Sequence, residues 1–483
     1  MTVLRVLPMF DELMGTATGF NLVAPEPLLR YAEAMKVLLI SANATHAPHP
    51  VYPLGLDYLV GALTPRHEVH IWDVNLAGSE ESLETALCRI HPEVIGLSIR
   101  NIDNVDAGAA KSFIPGYERT VRLIRRCTGA PIVLGGSGFS IFPGELISRL
   151  GADFGVVGEG EQMAPLLEAL ETGADPAGLP GVVLPGGPVG DPVPWMGDVD
   201  RRMRSRDAHR LFYLERGGIL NLQTKRGCPF RCIYCTYPHI EGRRMRLVPP
   251  DEVAREARQL QEMGARFLFI TDSAFNADVD HSLAVARAFR RVGLTIPWGA
   301  FLSPMRPPDG YYSFLAEAGL THAEFGTESL CDSQLQRYGK PFGVKEALAA
   351  HAAARRAGVN IAHYFLLGGP GENARSVEET LNRMEELDKT AFFLFCGMRI
   401  FPHTPLYDLA IEEGQVEPDQ ELLRPVFYRS AGIAPEAIAE RVRMQARGRV
   451  NWVCGDGGET TDRVVARMHS RGHAGPLWEL LLR

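Results

Sequence analysis

Three cysteines fall within eight residues, Cys228, Cys232 and Cys235, in the stretch Lys225-Arg226-Gly227-Cys228-Pro229-Phe230-Arg231-Cys232-Ile233-Tyr234-Cys235. Their spacing is C-x3-C-x2-C, and an aromatic residue, Tyr234, stands directly before the third. The apolar run Ile219-Leu220-Asn221-Leu222-Gln223 ahead of them reads as a strand, which puts the cysteines on the loop leaving its C-terminal end. Gly227 and Pro229 favour a tight loop over a helix, so three thiolates can converge. A structural zinc site needs four protein ligands, usually in pairs, and no second pair follows at a suitable spacing. Three thiolates suit a cubane iron–sulfur cluster left one ligand short. An iron without a protein ligand is a place for a substrate or cofactor to bind.

The rest of the chain must position that loop. At 483 residues it exceeds the roughly 250–300 residues that one core supports, so two or three domains are expected. The net charge of -8 gives no electrostatic footprint for nucleic acid, and no apolar run reaches the length of a membrane span. The first residues lack the regions of a signal peptide. Eight cysteines in so long a chain, three of them clustered, fit a reducing cytoplasm better than a disulfide scaffold.

Residues 1–34 show apolar stretches without a clear period and read as an N-terminal extension. From 35 to 185 short apolar runs alternate with helical patterns: Val37–Ile40, Glu68–Trp72, Val94–Ile99, Ile132–Gly135 and Phe154–Val157 are the strands. Gly55–Leu63, Ser82–Arg89 and Tyr117–Arg126 are helical. That order predicts a doubly wound parallel sheet with ligands at the C-terminal strand ends. Those ends carry Ser98, Arg100 and Asn101, then Gly135-Gly136-Ser137, then Gly158-Glu159-Gly160-Glu161. None matches a dinucleotide fingerprint or a P-loop.

Residues 186–217 read as a linker, opening with a Pro/Gly-rich stretch; the basic run Arg201-Arg202-Met203-Arg204-Ser205-Arg206 within it is expected to be solvated. From 218 to 407 six further strands recur: Ile219–Gln223, Phe267–Thr271, Ile296–Phe301, Ala323–Gly326, Ile361–Leu367 and Phe392–Arg399. Helical stretches separate them, the clearest being Pro250–Met263 with Val253, Ala257 and Leu260 on one face. Six βα units fit a partial (βα)6 barrel of TIM type, with chemistry at its C-terminal mouth. Residues 408–483 read as a small, mostly helical C-terminal region. The fold class is α/β throughout.

The cysteine motif resembles that of the radical S-adenosylmethionine (SAM) superfamily, whose hallmark is this spacing with an aromatic before the last cysteine. The resemblance implies a [4Fe-4S] cluster on Cys228, Cys232 and Cys235, with SAM on the open iron. It also implies SAM contacts from Tyr234, Asp272, Ser273, Glu328, Gly368 and Arg399. Asp272-Ser273 follows the second barrel strand, toward the SAM amino group; Glu328 follows the fourth, toward the ribose; Gly368-Gly369-Pro370-Gly371-Glu372 follows the fifth, near the adenine. Asp272 and Glu328 also suit helix N-caps.

The N-terminal region, with Tyr52-Pro53-Leu54-Gly55-Leu56, Asp73, Gly135-Gly136 and Val157-Gly158-Glu159-Gly160-Glu161, resembles the cobalamin-binding domain of cobalamin-dependent radical SAM enzymes. This implies cobalamin contacts from Ser98, Arg100, Asn101, Gly135, Gly136, Ser137, Gly158 and Glu159. The D-x-H-x-x-G motif that supplies a lower axial histidine in other cobalamin proteins is absent from the sequence. The activity implied first is a methyltransferase acting on an unactivated carbon of a small molecule, through methylcobalamin and a 5′-deoxyadenosyl radical. A non-methylating rearrangement, ring contraction or cyclisation is the alternative. An iron–sulfur redox sensor or electron carrier would not need Asp272, Glu328 and a glycine-rich set of strand ends around a barrel. The implied partners are a small-molecule substrate and an external electron donor of flavodoxin or ferredoxin type, in the cytoplasm, with no nucleic acid and no membrane span.

Overall fold

The computed structural model describes residues 34–45, 50–77, 79–197, 201, 208–455 and 458–482. The expected N-terminal extension, except Ala34, lies outside the described residues, as do Arg202–Arg206 of the basic run.

Six strands form the first sheet: β1 (Lys36–Ser41), β2 (Glu68–Asp73), β3 (Val94–Ser98), β4 (Ile132–Gly135), β5 (Phe154–Val156) and β6 (Val182–Val183). Their order is β2-β1-β3-β4-β5-β6, parallel from β1 to β5, with β6 antiparallel at the edge. All five strands read from the sequence are there. The side-chain alternation of β1 shows why the sheet is wound on both faces. Val37 and Leu39 pack with helices Leu54–Leu63 and Met163–Thr172; Leu38 and Ile40 pack with Glu80–Ile90 and Ile114–Cys127 on the other side.

The second sheet starts with β7 (Ile219–Leu222). After it come the short strand β8 (Lys225–Arg226), which pairs antiparallel with β9 (Arg246–Leu247), and then β10 (Phe267–Ile270), β11 (Trp298–Leu302), β12 (Leu320–Glu328), β13 (Asn360–Leu367) and β14 (Thr390–Cys396). A second two-residue ribbon joins β15 (Met398–Arg399) to β16 (Phe427–Tyr428). The six barrel strands lie in chain order and are parallel, as the pattern predicts. The C-terminal region departs from the expectation. Besides helices Pro435–Ala446 and Gly458–Ser470, it supplies a seventh parallel strand, β17 (Trp452–Cys454), beside β14. Three residues between helical patterns carry too little period to be read as a strand; the pairing of Trp452 with Phe392 decides it.

The expected linker holds a helix, Ala208–Glu215, whose Phe212 and Tyr213 are buried in the barrel core. Arg201 is not solvated. Its guanidinium is buried, bonded to Asp57 (2.9 Å), Glu256 (2.5 Å) and the Asn221 carbonyl (2.9 Å). A basic run reads as surface until tertiary partners of opposite charge appear. One continuous core joins the two halves: Leu38 and Ile95 of the first sheet, with Phe142 beside it, share it with Tyr338, Met398, Ile400 and Tyr428 from the segments that follow the fourth and sixth barrel strands. Among the described residues no helix is long and apolar enough to cross a membrane.

Candidate active site

The cysteine loop hangs from the ribbon of β8 and β9. Gly227 has φ 87°, and a Cβ there would come within 2.3 Å of the Arg244 carbonyl, so the position needs glycine. Its N–H donates to the Glu241 carboxylate at 3.0 Å, and the Cys228 N–H donates to the Gly242 carbonyl at 3.0 Å. Further on, the Ile233 N–H donates to the Tyr338 carbonyl (3.1 Å), tying the loop to the fourth barrel unit.

Cys228 is buried, and Cys232 and Cys235 are half-buried; none is in a disulfide. Burial raises the Cys232 thiol and pushes Cys235 up to about 12, with the other cysteines adding to the rise and Lys340 opposing it. Thiols held protonated this way ionise only when a metal takes the proton's place. Among the described residues no three metal-binding side chains converge on one ion.

Several side chains expected around SAM already have protein partners. Both carboxylate oxygens of Asp272 are engaged: Oδ1 accepts from the Thr224 N–H (2.8 Å), Oδ2 from the Thr224 hydroxyl (2.5 Å) and Lys225 Nζ (3.2 Å). Asp272 therefore anchors the start of the cysteine loop. Ser273 stays beside the loop, its hydroxyl 3.5 Å from the Gly227 carbonyl. Glu328 has φ 66° at a bulge against β13, and its Oε1 accepts from the Tyr234 hydroxyl (2.8 Å) and Lys340 Nζ (3.4 Å). The structure thus joins two of the expected residues, Tyr234 and Glu328, beside the cysteines. Gly368 is buried, and its N–H donates to Glu372. Arg399 has protein partners as well. It is buried, paired with Asp103 (3.2 Å) and bonded to the carbonyls of Ile400 and Leu422, so its guanidinium ties the first sheet to the sixth barrel unit.

The residues expected around cobalamin do converge. Ser98, Arg100, Asn101, Gly135, Gly136, Ser137, Gly158 and Glu159 all line one cavity of about 560 Å³. Its far wall is the barrel mouth, with Asn221, Gln223 and Thr271 from the strand ends. Arg226 and Thr236-Tyr237, on either side of the cysteine loop, close the edge between them. Gly136 sits at φ 96°, where a Cβ would lie 2.6 Å from the Ile99 carbonyl, so two strand-end loops approach too closely for any other residue. Arg100 shows its surface to this cavity, yet protein surrounds it and burial lowers its guanidinium from the ordinary value, against small opposing effects from Tyr237, Tyr117 and Tyr213. No carboxylate lies within ion-pair distance of it among the described residues. A large polar cradle with an unpaired guanidinium, hydroxyls, an amide and glycine loops fits a bulky, amide-rich cofactor.

Glu159 differs from its neighbours in the cradle. It accepts from Arg226 Nη1 at 2.6 Å and from both terminal nitrogens of Arg246, while Glu161 takes Arg226 Nη2 at 2.6 Å. Burial alone would raise its carboxyl, but the two arginines outweigh that and hold it below the usual range. The acidic pair of the Gly-Glu-Gly-Glu loop is thus a rivet between the first sheet and the cysteine loop. Sequence reading missed Asn221, Gln223 and Tyr237; Asn221, a polar residue inside an apolar strand, was the available signal for one of them.

The comparisons with known proteins agree with this geometry. The model for the Radical SAM superfamily matches residues 222–384, and that for the B12 binding domain matches residues 40–168. Tryptophan 2-C-methyltransferase of Streptomyces laurentii is 27% identical, over 77% of this chain and 73% of its own. Cytidylyl-2-hydroxyethylphosphonate methyltransferase of Streptomyces wedmorensis is 24% identical, over 84% and 88%. The solved structure of the radical S-adenosylmethionine methyltransferase TsrM from Kitasatospora setae, with cobalamin and a [4Fe-4S] cluster bound, shares the fold. Its TM-score is 0.84 at 24% identity, covering 93% of this chain and 97% of that one. The chain belongs to the cobalamin-dependent radical SAM enzymes.

Proposed function

We propose that this protein is a cobalamin-dependent radical SAM methyltransferase that methylates an unactivated carbon of a small molecule. The observation that carries the reading is the single cavity in which the strand ends of the first sheet face the barrel mouth, with the cysteine loop at its edge. Bound there, the cluster and SAM supply a radical at the substrate and cobalamin supplies the methyl group. The chain's own residues do the positioning. Cys228, Cys232 and Cys235 hold the cluster, and Asp272 fixes the loop that carries them. Tyr234 and Glu328, bonded to each other, and Ser273 form the adjoining SAM wall. Ser98, Arg100, Asn101, Ser137 and the glycine loops of residues 135–138 and 158–160 hold cobalamin. The shared core and the Arg226–Glu159 contact keep the two halves at a fixed spacing. A cytoplasmic setting and a flavodoxin- or ferredoxin-type donor complete the proposal, since the cluster must be reduced.

The two similar methyltransferases support methyl transfer by their names. Methyl-labelled SAM tests it. Reduced enzyme with its substrate is expected to yield S-adenosylhomocysteine and 5′-deoxyadenosine in comparable amounts, with the label on product carbon. Substrate-dependent 5′-deoxyadenosine with no label in the product would replace methylation by a rearrangement.

A further inference from the structure

Asn221 lies in the middle of β7, is 3% exposed, and lines the cavity at the barrel mouth. Its Oδ1 is buried and accepts no hydrogen bond, although its backbone carbonyl is taken by Arg201. A buried amide oxygen without a partner is destabilising, so such an atom calls for a donor from outside the chain.

The strand register shows what stands beside it. Leu220, Leu222, Leu268, Ile270, Ala300 and Leu302 pack outward under the helices. Alternation therefore turns Asn221, Phe269 and Phe301 into the barrel. Asn221 is paired with Phe269, whose ring meets Phe301 edge-on at 4.9 Å, and Phe301 is paired with Glu324. Glu324 accepts from the Tyr364 hydroxyl (2.8 Å) and from Trp478 Nε1 (2.9 Å); the Tyr364 ring stacks on Phe393 at 4.8 Å. One layer of the barrel interior is thus aromatic, with an open acceptor at Asn221 and a carboxyl whose two oxygens are already engaged. Phe301 is 39% exposed, although Ala300 and Leu302 on either side are buried. In a parallel barrel, where strands are normally covered on both faces, such a ring borders open space.

We infer that this layer is the substrate chamber, taking a planar, uncharged ring system with one N–H or O–H group that donates to Asn221 Oδ1 while the ring lies against Phe301. The inference rests on the proposed function and adds the substrate class. Among the described residues no fixed charge is free in the layer to pair with a charged substrate group, and the aromatic rings offer faces and edges to a flat one.

Indole and 1-benzothiophene, bicycles of one shape in which sulfur replaces N–H, provide the test. Equilibrium dialysis is done anaerobically on full-length protein reconstituted with iron, sulfide and hydroxocobalamin. The protein is expected to bind indole about 10-fold more tightly than benzothiophene. Asn221→Leu should weaken indole by that factor and leave benzothiophene unchanged, and Phe301→Ala should weaken both. Equal binding of the two probes, binding of neither, or a preference that survives Asn221→Leu overturns the inference. The probe comparison in the unaltered protein does not depend on how a variant folds. Cluster absorbance and cobalamin retention in the same samples report on the proposed function separately.

Discussion

Arg226, two residues ahead of the first cluster cysteine, holds Glu159 of the first sheet at 2.6 Å in a contact buried on both sides. Arg246, on the strand paired with that of Arg226, grips the same carboxylate. The loop proposed to hold the cluster and the loop proposed to cradle cobalamin are therefore parts of one ionic network. Glu159→Ala leaves two guanidinium groups without this carboxylate. Removing one partner of a buried pair costs about 3–5 kcal/mol, so the urea unfolding midpoint of the full chain should drop clearly. A change below about 1 kcal/mol would mean that the network does not join the two halves.

Replacing Cys228, Cys232 and Cys235 together by Ala should abolish the brown iron–sulfur absorption of anaerobically reconstituted protein. Gly227→Ala should weaken it without touching a ligand, because φ 87° and the nearby Arg244 carbonyl exclude a Cβ. Iron and sulfide contents read both outcomes. Full occupancy in the triple variant would refute the cluster assignment.

Arg100 presents an unpaired guanidinium to the cavity. Hydroxocobalamin should bind at about one equivalent, with the nucleotide base off cobalt and no histidine in its place. Arg100→Leu should cut that affinity by about 10-fold or more while leaving the thermal midpoint of cofactor-free protein unchanged or higher, since no ion pair among the described residues is lost and burial of the charge is relieved. Gel filtration and dialysis with the cofactor measure the first effect and a melt the second. Undiminished cobalamin retention would remove Arg100 from the site.

Beneath the barrel strands, His363 is fully buried between the Thr327 hydroxyl (2.6 Å) and His351 (3.2 Å). Burial, with His351 adding to it, holds its folded-state pKa well below the ordinary value; burial also lowers His351, with Asp388 opposing. The unfolded chain binds these protons first as pH falls. Stability is therefore fully present above about pH 6.5 and declines below it, by at most about 1.4 kcal/mol per pH unit for each histidine. Melting temperatures from pH 7.5 to 5.5 should show that fall, and His363→Gln should flatten it. A flat profile in the unaltered protein would contradict the assignment.

Local pattern carried much of this architecture. Alternating β-rich and helical periods place the five parallel strands of the first sheet and the six of the barrel, because each period is set by side chains a few residues apart. The cysteine spacing marks the cluster loop for the same reason, and the eight residues expected at the cobalamin cradle meet at one cavity because strand ends of a parallel sheet share an edge. Tertiary structure decided whatever depends on partners distant in the chain. Asp272 and Arg399 stand at strand ends, and only the fold brings Thr224 with Lys225 against the first and Asp103 against the second. Glu159 becomes a rivet because Arg226 and Arg246 arrive from the second sheet, and β17 becomes a strand because β14 offers it an edge. Burial, charge pairing and edge pairing are properties of assembled surfaces. A single stretch of sequence encodes which groups it offers; the fold determines which of them remain open to a ligand.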